Sequence, residues 1–133
     1  MISKFIHINM TTKNVAAARE FYSDLGFAVN KDYSTEQNVF IALAENVNLI
    51  LATEDFLKQL GETRDFVDAA KATEASLAIS MNSREEVDKL FEAAIAAGGK
   101  QAGDTVEEKE IGLYARAFFD LDGHKIDINH MPF

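Results

Sequence analysis

The sequence contains no cysteine, no tryptophan and one proline among its 133 residues. The lack of cysteine excludes disulfide bonds, thiolate metal sites and thiol nucleophiles, and it is compatible with a reducing cytoplasm. No apolar run approaches the roughly 18 residues that a membrane-spanning helix requires. The N-terminal segment MISKFIHINM lacks the charged region and long apolar stretch of a secretory signal. We therefore expect a soluble cytoplasmic protein with no membrane partner.

Positive charge is also scarce, because 13 Lys and Arg stand against 22 Asp and Glu, giving a net charge of −9. A nucleic-acid-binding protein needs a basic face that neutralises phosphates, so we predict no nucleic-acid partner. The acidic residues are spread along the chain, as at Glu85-Glu86 and Glu107-Glu108, which is typical of a solvated surface. A hydrophobic content of 47% is enough for a core, and we predict one domain over residues 1–133.

The first half of the chain has the pattern of a βαβββ module, predicted over residues 1–53. A strand is predicted at Phe5–Met10, and Thr11 or Thr12 is predicted to cap the helix that follows. The helix has an apolar stripe that Gly26 terminates, namely Val15, Ala18, Tyr22 and Leu25. Three further strands are predicted at residues 27–33, 39–43 and 48–52.

The second half repeats this pattern after a polar connector, residues 54–74. Ser83 and Glu86 form a capping-box motif, in which each side chain is expected to bond the other residue's backbone amide. The next apolar stripe and its glycine stand 72 positions after their counterparts, at Val87, Leu90, Ala94, Ala97 and Gly98. Strands are predicted at residues 75–81, 100–102, 113–119 and 125–129, with a tight turn at 120–123. We therefore predict a second βαβββ module over residues 75–133.

Alternation along the predicted strands separates an apolar face from a more polar one. In the first strand Ile6, Ile8 and Met10 alternate with Phe5, His7 and Asn9. In the predicted strand 75–81, Leu77, Ile79 and Met81 alternate in the same way with Ser76, Ala78 and Ser80. In the predicted strand 125–129, Ile126 and Ile128 alternate with Lys125, Asp127 and Asn129. A sheet buried on both faces would be continuously apolar, so we predict helices on one face and a wet cavity on the other.

Two motifs give the chain a family resemblance. His7 precedes Phe21-Tyr22 and Leu25-Gly26-Phe27 at a characteristic spacing, and residues 119–127 read F-D-L-D-G-H-K-I-D. With the βαβββ order, these motifs resemble the vicinal oxygen chelate superfamily, which includes glyoxalase I, bleomycin-resistance proteins and extradiol dioxygenases. The resemblance implies an α+β fold in which two tandem βαβββ modules form one cupped mixed sheet around a shared small-molecule pocket, with the helices outside. It also implies a homodimer.

In metal-dependent members of that family, four inward side chains, one from each of four strands, hold a divalent ion. The resemblance places His7 and Asp127 at two of these positions, and Ile50 and Ser76 at the others. Isoleucine cannot coordinate a cation, and catalytic zinc normally keeps three protein ligands. We therefore predict a degenerate metal site at His7 and Asp127, for which Ni, Zn, Mn or Fe are the candidate ions. A one-residue shift in the alignment would instead bring Asn48 or Glu54 to the site.

The resulting prediction is a small-molecule-binding protein, for an aromatic or amphipathic ligand. The predicted ligand-binding residues are His7, Asn9, Ser76, Arg116, Phe118 and Asp127, with Phe5, Phe40 and Phe119 as further apolar walls. Arg116 is a candidate clamp for a carboxylate or phosphate. The alternative is an enzyme, a divalent-metal-dependent lyase, isomerase or dioxygenase of the same superfamily. Simpler roles also remain open: His7 as a hydrogen-bonded wall residue, Asp127 as the hydrogen-bonded partner of Lys125 or of His7, and Arg116 as a surface ion pair. No catalytic residue is assigned.

Overall fold

The computed structural model describes residues 1–132, which divide into two compact units, Met1–Phe66 and a second beginning at Val67. The division falls inside the predicted connector. The single domain over residues 1–133 and the module boundaries at 53 and 75 stay predictions. Among the described residues, no helix is both long and apolar enough to span a membrane.

The first unit is a four-stranded mixed sheet with one long helix. Its elements are β1 (Ile6–Thr11), α1 (Val15–Asp24), β2 (Ala28–Val29), β3 (Asn38–Ala44), β4 (Val47–Ala52) and α2 (Glu54–Gln59). The strand order is β1-β4-β3-β2, with β1 parallel to β4 and the other pairs antiparallel. The βαβββ order predicted for this half is confirmed, and α2 lies in the predicted connector.

The core of the first unit lies between α1 and one face of this sheet. Three residues of the predicted stripe are buried in α1 together with Phe21, namely Val15, Ala18 and Tyr22. The fourth, Leu25, is the half-buried C-cap of the helix. On the sheet side, four residues of β3 and β4 have no exposed surface, namely Val39, Ile41, Leu49 and Leu51. They lie opposite one another in the ladder and so share a face. Burial of this stripe fixes which face of the sheet remains uncovered.

Two local predictions in this unit are wrong. The cap of α1 is Asn14, whose Oδ1 accepts a hydrogen bond from the Ala17 amide at 3.0 Å, whereas Thr11 still belongs to β1. The strand predicted over residues 27–33 shortens to β2, because Asn30 starts a turn. Its Oδ1 accepts from the Asp32 amide, and its carbonyl oxygen accepts from the Ser34 hydroxyl.

The second unit repeats the arrangement with one extra strand. Its elements are β5 (Ser76–Ser80), α3 (Arg84–Ala96), β6 (Lys100–Gln101), β7 (Val106–Glu108), β8 (Leu113–Phe119) and β9 (Lys125–His130). The order is β5-β9-β8-β6, with β7 also paired to β8 and β5 parallel to β9. The sequence did not predict β7, since its three residues are all exposed and carry no apolar alternation. The α+β fold built from mixed sheets is as predicted, and the strands of the described residues form two such sheets.

The start of α3 confirms Ser83 as the cap and corrects the role of Glu86. Ser83 Oγ accepts from the Glu86 amide at 3.1 Å, as predicted. The Glu86 carboxylate, however, accepts from the amide of Asn82 at 2.9 Å, one residue before the cap. From this start α3 runs across β8 and β9, burying Val87, Leu90, Phe91 and Ala94.

Candidate functional site

Each sheet has a face packed against a helix and a second face, which we call the open face. In the first unit the open face carries the residues that alternate with the core: His7 and Asn9 on β1, Asn48 and Ile50 on β4, Phe40 and Ala42 on β3. In the second unit it carries Ser76, Ala78 and Ser80 on β5, Lys125, Asp127 and Asn129 on β9, and Ala115 and Ala117 on β8. Four of the six predicted ligand-binding residues therefore lie on open faces.

His7 is exposed and lies within a group of aromatic rings. Its ring stacks on Phe5, with centroids 6.0 Å apart and an interplanar angle of 9°, and meets the edge of Phe40 at 5.3 Å. Tyr33 extends the group, with its ring 5.7 Å from that of Phe40. We call Phe5, His7, Tyr33 and Phe40 the aromatic cluster. Two members remain largely open to water, since Phe5 is 42% and Tyr33 67% exposed.

Two amide side chains flank His7 on the same face. Asn48 lies directly opposite His7 in the ladder, and its Nδ2 is 3.4 Å from His7 Nδ1. An amide nitrogen only donates, so this long contact favours the tautomer in which Nδ1 accepts and Nε2 carries the proton. His7 then presents an N–H donor. Asn9 is exposed two residues further along β1, opposite Ile50.

On the open face of the second unit, Asp127 lies between two alanines. Its ladder neighbours are Ala78 on β5 and Ala117 on β8, so methyl groups flank the carboxylate on both sides. Lys125 Nζ lies 3.2 Å from Asp127 Oδ1, which is the simpler ion-pair role of Asp127. Ser76 lies opposite Lys125, at the start of the same ladder. The Asp127 side chain is 29% exposed.

Arg116 and Phe118 lie on the other face of this sheet, against α3. Their ladder partners are Ile128 and Ile126, so they do not share a face with Asp127. Phe118 has no exposed surface and belongs to the core. Arg116 Nη1 is 3.0 Å from Asp88 Oδ1. Arg116 therefore pairs with a carboxylate of its own chain. Neither Arg116 nor Phe118 lies on an open face, where the other four predicted ligand-binding residues lie.

Asp88 is a polar residue that the sequence pattern did not indicate. The Tyr114 hydroxyl donates to its carboxylate at 2.5 Å, and Arg116 Nη1 donates to the same oxygen. The hydrogen bond from Tyr114, followed by Arg116, lowers the pKa of Asp88, and the same bond raises the pKa of Tyr114. No pattern along the chain signals this group, because Asp88 and Tyr114 are 26 residues apart.

The residues do not fit the divalent metal that the resemblance implies. In the first unit His7 faces the Asn48 amide, and Ile50 lies opposite Asn9 instead. Glu54, the other residue that a shifted alignment would bring in, begins α2 and is not part of β4. A neutral amide is a weak ligand for zinc or nickel, and the carboxylate of Asp127 is already paired with an ammonium. We derive no metal-dependent step from this donor set.

A group of three possible metal ligands lies elsewhere, in the turn between β8 and β9. The ligand atoms of Asp120, Asp122 and His124 lie within 4.8 Å of one another. Asp120 is buried, and its Oδ1 accepts from the backbone amides of Asp122 and His124 at 3.0 and 2.9 Å. The carboxylate therefore holds the turn in place, as Asp side chains often do at the start of a turn.

Comparison with known proteins agrees with this architecture. No curated protein sequence is significantly similar to the chain. A hypothetical protein from S. aureus shares 24% identity at a TM-score of 0.77, over 98% of this chain and 94% of the other. A glyoxalase/bleomycin resistance protein/dioxygenase family enzyme from Burkholderia phytofirmans PsJN shares 20% identity at a TM-score of 0.77, over 98% of this chain and 100% of the other. FosX, the genomically encoded fosfomycin resistance protein of Listeria monocytogenes, shares 21% identity at a TM-score of 0.69, over 98% of this chain and 94% of the other.

These structures share the fold. The sequence profile that matches the chain covers residues 4–128, nearly its whole length. On that match, the chain belongs to the Glyoxalase/Bleomycin resistance protein/Dioxygenase superfamily.

Proposed function

We propose that this protein binds a planar aromatic small molecule against the aromatic cluster and uses no divalent metal at His7. The observation that carries the proposal is the exposed parallel stack of Phe5 and His7, with the Phe40 edge beside it. Aromatic rings left in water on a sheet face gain free energy when another ring covers them. A planar ligand that extends the stack would bury the exposed surfaces of Phe5 and Tyr33.

Polar groups on the same face supply orientation. Binding sites for small molecules combine apolar walls with a few placed hydrogen-bonding groups. The Nε2–H of His7 is a donor, and the amides of Asn9 and Asn48 each offer a donor and an acceptor. A ligand with a carbonyl or hydroxyl group on its ring would satisfy these groups while its plane stacks on Phe5.

The open face of the second unit is proposed as a second contact region, centred on Asp127. The methyl groups of Ala78 and Ala117 leave room for a ligand to approach the carboxylate. A carboxylate accepts hydrogen bonds only, so the ligand group that it recognises is a hydroxyl or a protonated amine. Ser76 is retained in this proposal, whereas Arg116 and Phe118 are not, because both pack against α3.

Calorimetry with a panel of planar aromatic acids, phenols and amines tests the first region. For the compound that binds most tightly, we expect Phe5→Ala and His7→Ala each to lower the affinity about fivefold, because an aromatic contact contributes roughly 1 kcal/mol. Leu60→Ala is the matched control, since Leu60 is 67% exposed in the same unit but lies beyond α2. Binding that is equal in all four proteins, or absent for the whole panel, would contradict the proposal.

The second candidate function is a divalent-metal-dependent lyase, isomerase or dioxygenase. Family membership supports this candidate. The group beside His7 does not, because the Asn48 amide is a weak metal ligand. Metal analysis of protein purified without a histidine tag decides between the two, with Ni²⁺, Zn²⁺, Mn²⁺ and Fe²⁺ titrations of thermal stability. Near-stoichiometric metal that is lost in His7→Ala would overturn the metal-independent proposal. We expect no saturable shift that depends on His7.

We also propose that the protein is a homodimer, as the resemblance implies. Among the described residues, β1 and β5 each form one edge of their sheet. Ile6 on β1 is 53% exposed, which is unusual for an isoleucine within a strand. Exposed edge strands are normally covered, and a second copy of the chain would provide that cover.

A further inference from the structure

A recess of about 380 Å³ opens where the parallel strands β5 and β9 end together. It is lined by Ser80, Met81, Asn82, His130, Met131 and Pro132. Two of the four methionines and one of the three histidines in the chain therefore meet at one place. None of these six described residues carries a carboxylate.

The ring of His130 is held in one orientation by the backbone. Its Nδ1 lies 3.0 Å from the carbonyl oxygen of Met81. A carbonyl oxygen only accepts, so Nδ1 carries the proton and the unprotonated nitrogen of the neutral ring is Nε2. Histidines that bind metals almost always bond their other nitrogen to a carbonyl or carboxylate in this way. His130 thus has the bonding that prepares a metal ligand.

The other potential ligands are the thioether sulfurs of Met81 and Met131. Thioethers are soft, uncharged ligands that favour Cu(I), and imidazole also binds copper. Methionine has three rotatable bonds, so a sulfur atom on the wall of the recess can adjust to an ion. The Ser80 hydroxyl donates to Asn129 Oδ1 at 2.9 Å, so it is already hydrogen-bonded within the sheet. A neutral set of one nitrogen and two sulfurs suits a soft ion of low charge.

We propose that this recess binds a soft monovalent metal ion, Cu(I) or Ag(I), through His130 Nε2 and the sulfur atoms of Met81 and Met131. The site shares no residue with the aromatic cluster. Met81 continues the apolar alternation of β5, and His130 lies opposite Tyr114, so both belong to the helix-packed face of the second unit. The proposal therefore does not depend on the proposed function.

Titration with Ag(I) in chloride-free buffer tests the site, since Ag(I) is stable in air. We expect one equivalent to bind to the wild-type protein, and we expect Met81→Leu and Met131→Leu each to lower the affinity at least tenfold. Leucine keeps nearly the volume of methionine without the sulfur, so the fold should survive. Met10→Leu is the matched control, because Met10 lies on β1 in the first unit and should leave the affinity unchanged.

A second readout keeps the test independent of stability. In methionine-methyl NMR spectra, Ag(I) should shift the signals of Met81 and Met131 and leave that of Met10 in place. The double variant Met81→Leu, Met131→Leu retains Met1 and Met10, so any adventitious binding at those residues persists in it. Unchanged Ag(I) affinity in this double variant, an equal loss in Met10→Leu, or equal affinity for Zn²⁺ would overturn the proposal.

Discussion

Asp88 illustrates how one side chain joins a helix to a strand. It lies on α3 and accepts hydrogen bonds from Tyr114 and Arg116, two residues apart on β8. Arg116 also covers the ring of Phe91, with its guanidinium carbon 3.7 Å from the ring centroid. The predicted ligand clamp is thus part of the packing between α3 and β8, where a cation and a ring meet favourably.

The pKa shifts at this contact predict a pH dependence of stability. The pKa of Asp88 lies below 3.8 in the folded chain, so its contribution is present above about pH 3.8 and is lost as the pH falls through the folded value. The pKa of Tyr114 lies above 10.0, so its contribution is present below that pH and is lost as the pH rises through the folded value. The contact is therefore fully formed across the neutral range.

Asp88→Asn should lower the free energy of unfolding at pH 7 by about 0.5 kcal/mol. The effect is small because 43% of the side chain is exposed and water screens the charge. The difference from wild type should shrink as the pH falls from 4 to 2. Urea unfolding across pH 2–7 measures it, with Asp24→Asn at the exposed end of α1 as the control. A difference that stays constant over this range would refute the assigned role.

Gly123 is the residue where backbone geometry leaves the least freedom. Its φ is +91°, and a Cβ there would lie 2.7 Å from Ala69 O and Ala70 Cα. Gly103, also in the second unit, has φ +83°, but a Cβ added to it would meet no atom of the described residues within 4 Å. Gly103→Ala should lower the free energy of unfolding by about 1–2 kcal/mol, because alanine disfavours the left-handed backbone conformation. Gly123→Ala should lower the free energy of unfolding by at least about 1 kcal/mol more, because the backbone of residues 69 and 70 must move.

Chemical denaturation of the two variants measures that difference directly. Both substitutions add the same methyl group to a glycine with positive φ, so the clash at Gly123 is what separates them. Equal unfolding free energies for the two variants would contradict the prediction, because they would show that the backbone of residues 69 and 70 moves aside without loss of stability.

At the scale of elements, both long helices begin with a side-chain cap that the chain supplies locally. Asn14 caps α1 and Ser83 caps α3, each accepting a hydrogen bond from the amide three residues later. The sequence predicted Ser83 and not Asn14, because Thr11, Thr12 and Asn14 all suit a cap and only the end of β1 selects among them. Thr12 instead bonds the backbone of Asn14.

Ser83→Ala should destabilise the protein by about 1 kcal/mol through the loss of this cap. The control is Ser23→Ala, because Ser23 is exposed within α1, where alanine is the better helix former. Thermal unfolding of both variants makes the comparison. A melting temperature for Ser83→Ala equal to that of wild type would contradict the capping role.

For the whole molecule, charge and edge strands lead to one measurable expectation. A net charge of −9 keeps copies apart unless a specific surface joins them. We nevertheless expect light scattering to give twice the 14.7 kDa mass of the chain, at both low and high salt. Higher salt screens the repulsion and should not weaken a dimer held by backbone pairing and apolar contacts. A mass of one chain at both salt concentrations would refute the homodimer.

The sequence by itself determined the repeated βαβββ order, the helical stripes and the polar face of β1. These follow from periodicity, because an apolar residue every three or four positions, or every second one, buries only one side of an element. His7, Asn9, Ser76 and Asp127 were placed on open faces by the same alternation.

Only the tertiary structure decided what those residues contact. Alternation along β8 could not tell which of its faces α3 covers, so Arg116 and Phe118 were grouped with Asp127 although they lie on the opposite face. The aromatic cluster, the Asp88 contact and the recess at His130 join residues from strands or helices far apart in sequence. Pairing of this kind is set by the register between elements, which the pattern within one element does not contain.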